Sequence, residues 1–178
     1  PSRQRQSCFE GLGGPHGDGQ PLAPGDRLDW QGTVDYPRLV PEHLIPRYEP
    51  RPRLELILGA QIGDFEGQSL FDAFNRDWTV DARNDRMGVR LLGPPLRCQR
   101  PAMISEGIAL GAVQVPADGQ PIVLLNDRQT IGGYPRLGAL TPRAVARLAQ
   151  CLPGEPVRFA PVQQHSAQMQ QRGMLAEG

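Results

Sequence analysis

Residues 104–138 read ISEGIALGAVQVPADGQPIVLLNDRQTIGGYPRLG, and the middle of this stretch decides the fold. Ala109 to Val115 is a candidate strand. Pro116-Ala117-Asp118-Gly119 is a turn in which Pro presets φ and Gly accepts a positive one, and Pro121 to Leu125 is the returning strand. Ile122, Val123, Leu124 and Leu125 are apolar without interruption, so the return strand is expected to be covered on both faces, as inside a closed barrel or a sandwich. The hairpin therefore belongs to the core.

Directly behind it, Asn126-Asp127-Arg128-Gln129-Thr130 sets polar side chains where a strand leaves that core, a position that gives rigid support to groups facing a cleft. Gly132 and Gly133 permit backbone approaches that a side chain would block, and Tyr134-Pro135 leads into a further short strand. Glu106 is a candidate acid or base, provided that burial beside a cleft raises its pKa. Gln114 and Gln129 are candidates for orienting a substrate amide, with Thr130 and Tyr134 as further substrate contacts. Asp127 would orient Arg128 or a water, while Arg86 and Arg128 would stabilise negative charge. A network of Asp, Arg and Gln that only ties a loop to its own barrel would use the same residues. For Arg86 the competing reading is a salt bridge to Asp85 or Asp127. Ser105 reads as a turn or capping residue rather than a nucleophile.

Composition narrows the chemistry. With 39% hydrophobic and 21% charged residues, zero formal charge and no apolar run long enough to cross a bilayer, the chain reads as globular, with no pull toward nucleic acid or membrane. Its 21 Gly and 19 Pro call for many turns and short strands, hence an all-β architecture with one or two short helices. All 19 basic residues are Arg. A Lys Schiff base, a P-loop Lys and a biotinyl-lysine are therefore excluded on this chain, and any such site belongs to another one. Cys8, Cys98 and Cys151 form no CxxC, which argues against a disulfide framework or zinc cluster and fits a reducing cytoplasm. His16, His43 and His165 show no ligand spacing, so no metal site is expected.

Along the rest of the chain, Gly11-Leu12-Gly13-Gly14 lacks the spacing and following helix of a phosphate loop and reads as a surface loop. Pro24-Gly25-Asp26 is a turn leading into a strand at Arg27 to Trp30, and the Pro-rich segment from Tyr36 to Arg53 is an extended linker. Leu54 to Leu58 is a strand. Ser69 to Asn75 is expected to be a helix capped by Ser69, with Leu70, Phe71 and Phe74 turned to the core. Extended structure resumes at Trp78-Thr79-Val80, then Asn84 to Gly88 forms a polar turn before the strand Val89 to Leu92. Thr141 to Cys151 is the clearest helix, capped by Thr141, with Pro142 in its first turn and Val145, Leu148 and Ala149 as its apolar stripe. Val157 to Ala160 closes the barrel, and Gln163 onward is a frayed tail or a short helix docked on a partner.

The segment SEGIALGAVQVPADGQPIVLLNDRQTIGGYP, together with Asn84 to Leu91, Leu152 to Phe159, Gly13-Gly14 and Gly25 to Leu28, resembles the family of the 5-oxoprolinase C subunit and allophanate hydrolase subunit 2, also known as the Kip-type biotin-dependent carboxyltransferase-like family. The resemblance implies cyclophilin-like β-barrel domains: residues 1–48 as the end of a first one, 49–162 as a second and 163–178 as a tail. Family members are longer at the amino end, so the chain is expected to be a fragment. The resemblance also implies Arg86 as a functional residue. It further implies ATP-dependent cleavage of 5-oxo-L-proline to L-glutamate, with ATP held by or shared with a partner: a cognate subunit 1-like protein and a third lactam-hydrolase-like subunit. Two alternatives accompany it: the carboxyltransferase part of a urea carboxylase-like system, fed by biotin on another chain, and a non-catalytic regulator that binds a kinase-inhibitor partner.

Overall fold

The structure, a computed structural model, describes residues 23–27, 41–42, 45, 48–99 and 105–176, with side chains to residue 173. The chain divides into two compact units, Pro1–Ile45 and Pro46–Gly178. In the first, the turn at Pro24-Gly25-Asp26 is present: Asp26 N–H donates to Ala23 O at 3.1 Å, its carboxylate accepts from Ala23 N–H at 2.7 Å, and Gly25 has φ of +100°. The expected strand into Trp30 and the Gly11–Gly14 loop lie outside the described residues.

The second unit is mostly β. Its strands are β1 (Arg53–Leu58), β2 (Trp78–Val80), β3 (Gly88–Leu92), β4 (Glu106–Gly107), β5 (Ala112–Gln114), β6 (Ile122–Leu124), β7 (Ile131–Gly132), β8 (Arg136–Leu140) and β9 (Pro156–Val162). Seven of them close a barrel in the order β1-β8-β5-β6-β3-β2-β9, with β9 returning to β1 as a parallel pair. β4 and β7 form a separate two-stranded sheet. The all-β closed barrel expected from the sequence is thus present, with Val123 fully buried at the centre of the continuously apolar return strand.

Alternation builds the core. Leu54 and Leu56, Trp78 and Val80, Val89 and Leu91, Val113 and Val115, and Val157 and Phe159 are all buried in one cluster, while their neighbours along each strand face outward. Trp78 and Phe159 meet with ring centroids 6.1 Å apart, and the indole N–H donates to Ala73 O at 3.1 Å. β8 breaks the alternation: Leu137 and Leu140, three residues apart, both enter the core. The cause is a bulge against β5, where Val113 pairs with Gly138 but Gln114 pairs with Arg136. Leu137 is the extra residue, and it enters the core while Arg136 stays on the outer face.

Among the described residues, three α-helices decorate the barrel. α1 (Gly67–Asn75) begins two residues earlier than the sequence predicts and is not capped by Ser69: its N-cap is Glu66, and the buried Ser69 hydroxyl instead accepts from Arg97 N–H at 2.8 Å. Phe71, expected in the core, is 55% exposed, because Ala73 and Ser69 are the residues that seat the helix. α2 (Pro142–Leu148) follows the prediction at its start, where Thr141 Oγ1 accepts from Ala144 N–H at 3.2 Å, but ends before Cys151 and buries Ala144 rather than Ala149. α3 (Gln164–Ala176) makes the tail helical.

The packing around Gly138 leaves no room for a side chain: a Cβ there would collide with Ile57 O of β1 and stand 2.9 Å from Gly59 N. Gly138→Ala is therefore expected to destabilise the chain by about 3 kcal/mol in urea unfolding, against little effect for Gly63→Ala, where the space is open. The buried Asp81 carboxylate accepts from Arg83 Nε at 3.0 Å and Nη2 at 2.6 Å, and this pairing holds its pKa below the usual 3.8. A depressed folded pKa gives stability that is present above the unfolded value and lost as pH falls through the folded one. The urea midpoint is thus expected to drop as pH falls below that range, and Asp81→Asn to flatten that part of the profile.

Candidate functional site

The outer wall of the barrel carries a cavity of 310 Å³. Its floor is the outward side chains of β1, β5 and β8, namely Ile57, Ala112 and Ala139, and its polar end is Glu106, Arg136 and Gln61. Three short elements bring that end together. β4 presents Glu106, the bulge in β8 turns out Arg136, and the loop after β1 supplies Gln61. Arg136 Nη2 pairs with Glu106 Oε2, Nη1 donates to Gly107 O at 2.8 Å, and its backbone N–H donates to Gln61 Oε1 at 2.9 Å. Gln61 Nε2 also donates to Glu106 Oε2 at 3.3 Å. One carboxylate oxygen thus carries both contacts, while Glu106 Oε1 and Arg136 Nε make no hydrogen bond among the described residues. The two side chains form an ion pair whose charges cancel.

The other residues singled out from the sequence fall into separate groups. Arg86 forms a two-point pair with Asp127, Nε to Oδ2 at 2.9 Å and Nη2 to Oδ1 at 3.3 Å, with side chains 66% and 45% exposed. Asp85, the other proposed partner, instead accepts from the Met87 and Gly88 amides at 2.8 and 3.1 Å and so holds the turn before β3. Arg128 donates from Nε to Ile108 O at 3.1 Å and from Nη1 to Leu125 O at 3.4 Å, which pins the polar turn against the segment after β4, where the strand expected from Ala109 begins only at Ala112. Gln129, Thr130 and Tyr134 are exposed, and Thr130 O accepts from Ile108 N–H at 2.9 Å. Gln114 is buried under Gly132, where a Cβ would come within 3.0 Å of its Nε2, and that nitrogen lacks a hydrogen-bond partner among the described residues.

Of the candidate residues, the cavity therefore gathers Glu106 alone. Arg136 and Gln61 were missed by sequence reasoning. Arg136 sits within a short apolar strand and Gln61 is an isolated loop residue, and they are 75 positions apart. The one available signal is the odd three-residue spacing of Leu137 and Leu140, which marks a bulge and reverses the side on which Arg136 emerges. A second concavity of 290 Å³, lined in part by Leu96, Arg97 and Pro116, holds none of the candidates. Burial pushes the Cys151 thiol up, away from thiolate chemistry. Among the described residues no group of His, Cys, Asp or Glu is placed to hold a metal ion, and no helix is long and apolar enough to cross a membrane.

Fold and cavity together define a closed β-barrel protein with a small, charge-balanced site on its outer wall. Residues 4–161 match the carboxyltransferase domain family, subdomains A and B, and the chain belongs to that family. It is 41% identical over 109 residues to the 5-oxoprolinase C subunit of Escherichia coli strain K12, a match that takes in 60% of this chain and 35% of that protein. It is 28% identical over 163 residues to a putative urea carboxylase of Emericella nidulans, covering 84% of this chain and 13% of that one. The crystal structure of Kluyveromyces lactis urea carboxylase has the same fold, with a TM-score of 0.68 at 22% identity over 74% of this chain and 13% of that one. The chain thus spans about a third of the length of its bacterial relative.

The two arginines proposed from sequence are expected to separate by stability. Arg128→Ala, which loses two carbonyl contacts at a partly buried turn, should cost about 2 kcal/mol in urea unfolding. Arg86→Ala, which removes an exposed pair, should cost under about 1 kcal/mol.

Proposed function

We propose that this chain is part of a cytoplasmic subunit of a 5-oxoprolinase-like enzyme, which with its partner subunits opens 5-oxo-L-proline to L-glutamate at the expense of ATP. The observation that carries this reading is the cavity whose polar end is Glu106 paired with Arg136, in a chain 41% identical to a 5-oxoprolinase C subunit. In this reading Glu106, whose carboxylate stands half-exposed at the cavity and not buried as the sequence reading required, is the acid or base at the lactam, and Arg136 holds it in place. Gln61 fixes both. In this reading the Arg86–Asp127 pair and the exposed Gln129, Thr130 and Tyr134 are assigned to a surface that a partner protein covers. A subunit 1-like protein and a lactam-hydrolase-like subunit are the partners we propose.

The cavity does not fit nucleotide phosphates, because Glu106 already neutralises its arginine. The chain has no Lys for a phosphate loop either. ATP is accordingly assigned to a partner or to a surface shared with one.

A second reading, the carboxyltransferase component of a urea carboxylase-like system, is supported by the family description and by the relative in Emericella nidulans. It requires biotin on another chain.

The test uses the full-length protein, purified together with the products of its neighbouring genes. 5-Oxoproline is expected to stimulate ADP release with matching glutamate formation, and Glu106→Gln to lower kcat by about a hundredfold while the complex still assembles. A stable complex without coupling would sink the 5-oxoprolinase reading and leave the carboxyltransferase one to be tested.

A further inference from the structure

Ala112 and Gln114 lie on the outer face of β5, opposite the core residue Val113. Ala112 lines the cavity, yet Gln114 is only 6% exposed. What covers it is Gly132 of β7: a Cβ on that glycine would stand 3.0 Å from Gln114 Nε2 and 2.7 Å from Ile108 Cδ1. Among the described residues Nε2 has no hydrogen-bond partner. A buried donor left unpaired costs free energy that contact with water would recover. The β4–β7 sheet thus lies over a group that is more stable uncovered.

The hold of that sheet on the barrel is light. β4 and β7 pair only with each other, outside the barrel ladder. Of residues 105–109 and 129–134, Ile108 alone carries a buried side chain on β4 or β7 or the turns beside them, and it stands outside the core cluster. Other side chains do the fastening: Arg128 donates to Ile108 O, Arg136 donates to Gly107 O and pairs with Glu106, and Gln61 donates to Glu106. The Glu106 carboxylate is half exposed, so solvent weakens the ion pair. An element with few buried contacts and exposed hydrogen bonds opens locally while the core stays folded.

We propose that the β4–β7 sheet is a flap that lifts from the outer wall of the barrel, with the Glu106–Arg136 pair as its latch and the unpaired Gln114 amide beneath it favouring release. Glu106 rides on β4 and lines the polar end of the cavity, so lifting the flap parts the ion pair and opens that end. Closing it restores the pair and buries Gln114 again. Access to the cavity is therefore governed by a balance between one screened ion pair and one buried amide, whichever reaction the assembled enzyme catalyses.

The experiment is hydrogen–deuterium exchange of the full-length protein, read by mass spectrometry on peptides spanning residues 105–110 and 129–134 against barrel peptides spanning 54–58 and 121–125. The flap peptides, which include the Ile108 amide bonded to Thr130 O, are expected to exchange at least about a hundredfold faster than the barrel ones. Gln114→Leu keeps the bulk and removes the unpaired donor, so it should slow flap exchange by about tenfold and leave the barrel peptides unchanged. Glu106→Gln takes the charge from the latch and should speed flap exchange by about tenfold. The sign of the first effect is the discriminating result, because an amide that merely braced the sheet would give faster exchange when removed. Where Gln114→Leu fails to fold, Gln114→Met carries the same test. Flap and barrel peptides exchanging together, flap exchange unchanged or faster in the Gln114 variant, or no response to Glu106→Gln would each overturn the proposal.

Discussion

The close approach of β8 to β1 at Gly138 is the constraint on which the rest of the unit depends. Gly59 N–H donates to Leu137 O at 2.8 Å across this contact, and the backbone of Ile57 occupies the space a Cβ on Gly138 would need. The same residue borders the bulge against β5, in which Leu137 is the extra residue. The close approach of β8 to β1 at Gly138 and the bulge that turns Arg136 outward therefore adjoin, where three strands crowd together. Without the extra residue, Arg136 would point into a core of leucine and valine, where an unpaired guanidinium is prohibitive.

The site is an addition to this scaffold. β4 and β7 pair with each other, outside the barrel ladder, and are held to it by side chains: Arg128 to Ile108 O, Arg136 to Gly107 O and Glu106 to Arg136. Two arginines thus do different work at one small sheet, Arg128 by holding the backbone beside β4 and Arg136 by pairing with its carboxylate. Such division suits a chain without lysine, since a guanidinium offers several donors in a fixed plane and can serve a carbonyl and a carboxylate at once.

Much of the fold was legible because it rests on local rules. The turn at Pro116 to Gly119 forms with Gly119 N–H donating to Pro116 O at 2.9 Å and φ of +75°. The uninterrupted apolar run of β6 marked a buried strand, and Thr141-Pro142 marked the start of α2. Where local reasoning failed, tertiary contacts had overruled it. Ser69 has the chemistry of a cap, but its hydroxyl serves Arg97 of a distant loop, and Phe71 lost the core face of α1 to Ala73 because Trp78 fills the space beneath. For the site, Glu106 was legible as a carboxylate beside a strand exit. Its partners were not, since an Arg in a strand and a Gln in a loop carry no motif.

What the amino-acid sequence determined by itself was the class of structure and the limits on its chemistry. Period-two apolar patterns and turn residues specify strands and hairpins through interactions among near neighbours, and the absence of lysine removes whole mechanisms whatever the fold. Only the tertiary structure decided which charges meet. Arg86 pairs with Asp127 rather than Asp85, and Glu106 with Arg136 and Gln61, because strand register and the bulge in β8 fix which side chains share a face across separations of 30 to 75 residues. Electrostatic pairing depends on distances of a few ångströms, and those are properties of the closed barrel, not of the order of residues along the chain.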